Sequence, residues 1–380
     1  MLDRLFSLEN FGIKLGLENI SRLCEALGHP ERQFTTLHVA GTNGKGSVTA
    51  MVHAALTAAG LRAARYTSPH LTSLAERFVI GDRAVSDAAL EATGTDVLAL
   101  IDRLCAAGTL TVVPTFFEAT TAIGFELFRR AGVEAAVIEV GLGGRFDATN
   151  VIQPIAGAIT TIAFDHQQHL GTSLAAIAFE KAGIIKPGMT VVAGALPEPA
   201  MKVVREASAG RGARLVETAT ASMQVEMVDG RARMTAQTAN HTYGPLLLAL
   251  RGEHQTGNAL VAISLLEAAA GSTGSPRSAA ASRTPSGRRG WNCSRCPGID
   301  GSSSMRRTTA KERRRSHAIC APGIRKNRCS SSGSCATRMR MTSWSRCCRA
   351  CPRSLPPRRR PHAPCRPAIS RAGSDHERSR

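Results

Sequence analysis

His38-Val39-Ala40-Gly41-Thr42-Asn43-Gly44-Lys45-Gly46-Ser47 is the stretch on which the reading of this chain turns. An apolar run, Phe34 to Val39, leads into it, and a helix-compatible run, Ser47 to Ala59, leaves it and stops at Gly60. Strand, glycine loop, helix is the order in which a phosphate-gripping loop has to sit. Glycines let consecutive amides turn toward an anion, the helix start adds partial positive charge, Lys45 reaches outer phosphates, and a hydroxyl such as Ser47 meets Mg2+. Gly41, Thr42, Asn43, Gly44, Lys45, Gly46 and Ser47 are therefore expected to bind ATP. Gly46 separates Lys45 from the hydroxyl, so the loop is a variant of the common pattern in which Ser or Thr follows Lys directly. The bland alternative is a glycine turn that binds nothing; the flanking strand and helix argue against it.

Working outward, apolar strand-like runs alternate with helical ones through residue 271, which predicts an α/β fold with a mainly parallel sheet. Ala63 to Tyr66 reads as a strand, and Thr115-Phe116-Phe117-Glu118 as a capping box opening a helix to about Arg130. Val133 to Val140 and Ala156 to Ile162 are continuous apolar runs, as strands buried on both faces should be. Ile177 to Ile184 reads as helix, Thr190 to Ala193 as strand, Met223 to Met234 as a hairpin turning at Asp229-Gly230, and His254 to Ala269 as a final helix.

Composition changes sharply after this region. From Ser272 onward there are 26 Lys and Arg against 4 Asp and Glu, while the preceding residues hold 22 and 25, so the first part is slightly acidic and the second carries +22. Nine of the eleven cysteines lie in that second part; the other two, Cys24 and Cys105, are scattered in a way that suits a reducing compartment. The start, Met1-Leu2-Asp3-Arg4-Leu5-Phe6, does not read as an export signal, and no run is apolar enough to span a bilayer. The expectation is a cytoplasmic, monomeric enzyme with no membrane partner.

Three further segments fall just beyond strand ends, where ligands gather in open α/β sheets. Tyr66-Thr67-Ser68-Pro69-His70-Leu71 offers a hydroxyl and an imidazole. Glu139 through Asn150 places a carboxylate at a strand end before a glycine loop, and Asp165-His166 follows the next strand. A carboxylate at the end of a buried strand is costly unless paired or metal-bound, which singles out Glu139. His166 alone would more often be structural, and Arg145 with Asp147 could form no more than a loop ion pair.

Together these segments resemble the folylpolyglutamate synthase and dihydrofolate synthase family of the Mur ligase superfamily. HVAGTNGKGS, YTSPHL, TFFEAT, EVGLGGRFDATN, DHQQHLG, EKAGIIKPG and HQTGNA occur in family order and spacing, from Phe11-Gly12-Ile13-Lys14 to about Gly271. Leu15 stands where the family commonly has Pro, and Ala75 where it commonly has Asn. The resemblance implies Ser68, Glu139 and His166 as Mg2+ ligands, donor types that suit a metal also touching nucleotide phosphate. It implies that Lys181 is the lysine the family modifies with CO2, that Thr115, Phe117, Asp147 and Ala148 hold the pterin, and that Asn258 approaches adenine. Lys45, Lys181 and His166 would then carry the chemistry. The implied reaction uses ATP to phosphorylate a carboxylate of dihydropteroate or a folate, and the amine of L-glutamate then displaces phosphate. Phe117 reads equally well as core at helical spacing. A Mur-type cell-wall peptide ligase is the alternative within the superfamily; GTNGKGS with DATN favours folate.

The family's second α/β domain, with a P-G-R-x-E stretch and an Asp-x-x-His-Asn motif, is not found after residue 271. Trp291-Asn292-Cys293 must be encoded TGG-AAY-TGY, which, moved back one base, gives Leu, Met or Val, then Glu, then Leu. Ser304 through Thr309 permits Asp-Ala-Ala-His-Asn in the same shifted frame. Residues 272–380 therefore read as an out-of-frame, unstructured tail, and the frame change is expected between Gly271 and Arg283. Two rival readings are a zinc module on Cys293, Cys296, His317 and Cys320, and a basic nucleic-acid arm on a P-loop NTPase. The tail offers few residues to pack around a zinc and few aromatics among its arginines, so no nucleic-acid partner is expected.

Overall fold

A computed structural model describes residues 1–12 and 16–272. The expectations for Ile13, Lys14 and Leu15 and for the tail from residue 273 lie outside the described residues.

In chain order the elements are α1 (Leu2–Ser7), α2 (Glu18–Ala26), β1 (Thr35–Ala40), α3 (Lys45–Ala58), β2 (Ala63–Tyr66), β3 (Phe78–Ile80), β4 (Arg83–Ala84) and α4 (Asp87–Ala106). Then come α5 (Phe116–Arg130), β5 (Ala135–Glu139), β6 (Ala156–Ile159), α6 (Gln167–Leu170), α7 (Leu174–Ala182), β7 (Thr190–Ala193), α8 (Glu198–Gly210) and β8 (Arg214–Glu217). The described region closes with β9 (Ser222–Val228), β10 (Arg231–Gln237), β11 (Thr242–Arg251) and α9 (Gln255–Gly271).

Eight strands form one sheet in the order β4-β3-β2-β5-β1-β6-β7-β8. From β2 to β8 every pairing is parallel, and β3 and β4 add an antiparallel edge. The expected mainly parallel sheet is therefore present. Side chains alternate across it. Leu37, Val39, Ala135 and Val137 pack with Val48, Val52 and Leu56 of α3 and Val261 and Leu265 of α9 on one face. Ala136 and Ile138 meet Phe125 and Phe128 of α5 with Leu23 and Ile101 on the other. Burial on both faces is why these strands read as unbroken apolar runs.

β2 and β7 have the bounds read from the sequence, and the capping box at Thr115 and Glu118 is formed in both directions. Elsewhere the bounds move for physical reasons. The helix expected from Ser47 begins at Lys45, because Gly44 takes a left-handed φ of 85° and releases the chain into α3 two residues early. The strand expected to Ile162 ends at Ile159, since Thr160 and Thr161 turn their side chains to the glycine loop. The hairpin does turn at Asp229-Gly230, both with positive φ, but β11 joins it to make a three-stranded antiparallel sheet. That sheet packs Met234 and Ala236 against Ala259 and Leu260 of α9.

Candidate functional site

The glycine loop hangs between β1 and α3, braced from β6. Thr42 N–H donates to the Thr161 carbonyl at 2.7 Å, and Asn43 N–H to the Thr161 hydroxyl at 3.0 Å. The hydroxyls of Thr160 and Thr161 donate to the Asn43 carbonyl at 2.6 and 3.1 Å. Two adjacent threonines thus set the loop's shape. Sequence reasoning passed over them because Thr-Thr at the end of an apolar run reads as more strand.

Two ammonium groups meet at this loop. Lys45 Nζ donates to the carbonyls of Gly41 at 3.0 Å and Thr42 at 3.1 Å, and Lys181 Nζ, from the last turn of α7, donates to the same Gly41 carbonyl at 2.9 Å. Burial, with Lys45 close by, holds the Lys181 ammonium down to about pKa 8. Facing them at the end of β5 is Glu139, 4% exposed. Burial pushes its carboxyl up to about 7, against the opposing pull of Lys45 and a hydrogen bond from the Ser68 N–H. A Cβ placed on Gly46 would lie 3.6 Å from Glu139 Oε2, so the carboxylate looks directly onto the start of α3. Asn258, in the first turn of α9, packs its side-chain amide against Gly44 and is held by Gln255 at 2.9 Å.

Among the described residues no three His, Cys, Asp or Glu side chains converge as a metal-binding group. Ser68 and Glu139 are brought together through the Ser68 N–H, whereas the exposed His166, at a φ of 46° before α6, has Nε2 3.6 Å from Asp165 Oδ1. Glu139 fits a cation on its own terms: it is a buried carboxylate with no Lys or Arg nitrogen within ion-pair distance among the described residues.

The glycine loop after β5 is organised by Asp147. Its carboxylate accepts from the N–H of Leu142 at 2.8 Å and of Thr149 at 3.0 Å, and from the Thr149 hydroxyl. The Thr149 oxygen in turn lies 2.9 Å from Nε2 of the fully buried His38, so β1 and the Asp147 loop are tied together beneath the site. Sequence reasoning gave His38 no role; its place in the apolar run before Gly41 was the available signal. Thr115 is engaged as the cap of α5, Ala148 is buried in the core below it, and Phe117 lies against Gly141 with its ring 6.2 Å from that of Tyr66.

A parallel-sheet strand thus feeds a braced glycine loop, with two ammonium groups at the loop and a buried acid opposite. The Mur ligase middle domain family matches residues 39–266, well over half of the sequence. This chain belongs to that family. Within it, a dihydrofolate synthase/folylpolyglutamate synthase of Mycobacterium tuberculosis is 39% identical over 265 residues, covering 66% of this chain and 54% of that protein. A solved Mycobacterium tuberculosis folylpolyglutamate synthase complexed with ADP is 35% identical with a TM-score of 0.66, covering 76% of this chain and 67% of the other. A solved FPGS–AMPPCP–folate complex is 37% identical with a TM-score of 0.63, over 66% and 61%. This Mur ligase chain spans a little over half the length of the curated relatives it matches. No helix among its described residues is long and apolar enough to cross a membrane.

The raised carboxyl of Glu139 has a measurable consequence for this Mur ligase domain. Between the unfolded value near 4.5 and the folded value near 7, the folded state keeps a proton that the unfolded state has lost, so stability falls as pH rises through that window. Glu139→Gln removes the penalty. In chelator without nucleotide it is expected to be more stable than the parent by about 2 kcal/mol at pH 8 and by much less at pH 5. Urea unfolding at the two pH values checks this; equal gains at both would show that ionisation is not the cause.

Proposed function

We propose that the chain is the ATP-binding portion of a ligase that joins L-glutamate to dihydropteroate or to folates through an acyl phosphate. The observation that carries this reading is the buried carboxylate of Glu139 set across the glycine loop from Lys45 and Lys181. An uncharged nucleoside pocket would need neither two ammonium groups nor an acid. Lys45 and the N–H groups of Gly44 to Ser47 would hold the β- and γ-phosphates, and Asn258 would border the adenine. Ser68, Glu139 and His166 would hold Mg2+, which when bound offsets phosphate charge. Thr115, Phe117, Asp147 and Ala148 would line the pterin side.

A carboxylate is too poor an electrophile for an amine, so the γ-phosphoryl group passes to it first and the glutamate amine then expels phosphate. The contribution of these residues is positioning and charge stabilisation. Lys181, close to pKa 8, can carry either a proton or, as the neutral amine, a CO2-derived carboxylate.

The domain reading belongs to the same proposal: residues 1–271 are the ATPase unit, and 272–380 are translated out of frame. The product therefore binds Mg-ATP and forms little or no folylglutamate, acting as a cytoplasmic monomer without nucleic-acid or membrane partners. Purified full-length protein tested by ATP-analogue titration and by radiolabelled glutamate incorporation checks both halves. Robust incorporation sinks the damage argument; failure to bind ATP sinks the function. Incorporation into a cell-wall nucleotide-sugar peptide instead of pteroate would select the other Mur ligase substrate class, and salt-dependent DNA binding lost on deleting 272–380 would establish the nucleic-acid arm.

A further inference from the structure

Arg77 is a buried cation that the fold leaves without an anion. It ends the short turn Leu74–Arg77 before β3 and is 6% exposed, yet among the described residues no carboxylate pairs with it. The adjacent acid, Glu76, is already committed to the N–H groups of Leu71, Thr72 and Ser73 and to the Thr72 hydroxyl. Arg77 Nε donates to His70 Nδ1 at 2.9 Å, and its guanidinium carbon lies 5.2 Å from the centroid of the Phe116 ring. Its terminal Nη donors have no acceptor among the described residues. Those Nη donors are not among the fully buried unpartnered atoms, so they open toward solvent, where an acidic ligand can reach a guanidinium whose stem is buried.

The surroundings say what that ligand is. Because His70 accepts through Nδ1, its ring proton sits on Nε2, which makes a second donor in the same place. Phe6 and Phe116 stack at 5.6 Å and 15°, Phe6 is 38% exposed, and its ring lies 6.3 Å from His70. Aromatic surface beside paired cationic and neutral donors matches a flat ring bearing a carboxylate better than a bare inorganic anion. The group is also joined to the site. Thr67 N–H donates to the Arg77 carbonyl at 3.0 Å one residue before Ser68, and Phe116 stands between Thr115 and Phe117.

We infer that Arg77, with the ring N–H of His70, binds the aromatic carboxylate of the pteroate-type acceptor, with the half-exposed Phe6 beside its ring and Phe116 holding Phe6 and Arg77 in place. This rests on the folate reading above and adds the residues that select for an acid. Arg77 holds the carboxylate through paired N–H donors, which a lysine reproduces in charge but not in fork geometry.

The test uses full-length protein saturated with a non-hydrolysable ATP analogue and titrated with pteroate and with pteroyl amide, its uncharged counterpart. The parent is expected to prefer pteroate. Arg77→Gln should weaken pteroate by roughly 10- to 100-fold, the range for losing a charge-assisted bond, while leaving the amide within about twofold. Arg77→Lys should recover part of the loss, and His70→Asn should show a smaller loss confined to the acid. The amide serves as the gauge of an intact site. Equal losses for acid and amide would show that Arg77 only holds the loop and would overturn the inference, as would unchanged pteroate affinity in Arg77→Gln. If the parent binds neither ligand, the folate reading falls along with it; if it binds both and Arg77→Gln changes nothing, only the present inference fails.

Discussion

Gly194→Ala is expected to cost about 3 kcal/mol or more of unfolding free energy, among the larger losses a single methyl group can cause. Gly194 leaves β7 with its N–H on the Ile159 carbonyl at 2.9 Å, and a Cβ there would overlap the Thr160 carbonyl oxygen and press on Val261 of α9 at 3.3 Å. None of these neighbours is the free end of a flexible side chain. Thr160 is held by its own N–H to the Ala40 carbonyl at 2.9 Å and by its hydroxyl to Asn43, so the displacement runs into the glycine loop. Urea unfolding of parent and variant measures the loss, and the surviving folded protein should also bind ATP analogues more weakly. An unchanged midpoint would mean that the strand end yields freely and that the bracing described here is not rigid.

Lys45→Ala is expected to lower affinity for Mg-ATP by on the order of 100-fold or more, about 3 kcal/mol, with little change in stability. The asymmetry follows from the hydrogen bonds. Removing the ammonium deprives the Gly41 and Thr42 carbonyls of one donor, but Lys181 still serves Gly41 at 2.9 Å and the threonines still hold Asn43. The phosphates have no such replacement. Lys45 also depresses both neighbours, so its loss should push the Glu139 carboxyl further up and return the Lys181 ammonium part of the way toward its ordinary value. Calorimetric titration with an ATP analogue, alongside thermal unfolding, checks both parts; a large stability loss without an affinity loss would make Lys45 a structural residue.

Much of the central sheet was legible because strands buried on both faces leave no polar interruption, as in Val133 to Val140. The three-stranded sheet was only half legible. β11 carries Gly244-Pro245 in its middle, a pair that reads as a break, yet β11 is an edge strand where a missing N–H is tolerated. α4 went unread although Ser86 caps it by accepting from Ala89 N–H at 3.2 Å. Its inward residues, Leu90, Val97, Leu98 and Ile101, are spaced among Ala, Thr and Gly that blur the stripe. β3 and β4, of three and two residues, are too short for any period to show.

Among the candidate site residues, the glycine loop and Glu139 could be picked out from backbone chemistry and a buried charge, while Lys181 and Asn258 were expected from the family resemblance. Those that act by bracing others were not. Thr160, Thr161 and His38 acquire their roles only when β6 and β1 lie side by side, which spacing along the chain does not reveal. Arg77 is the same case, since its significance is the lack of an anionic partner among the described residues in three dimensions.

Burial of Lys181 leaves a larger share of its amine free of a proton than an ordinary lysine has. At neutral pH an amine titrating near 8 is free of its proton far more often than an ordinary lysine, so a small electrophile such as cyanate, able to enter where larger reagents cannot, is expected to mark it despite its burial. A filled phosphate cradle would slow that marking, because an anion beside the amine favours its protonated form. Labelling rate at this one position would then serve as a chemical gauge of whether the cradle is full.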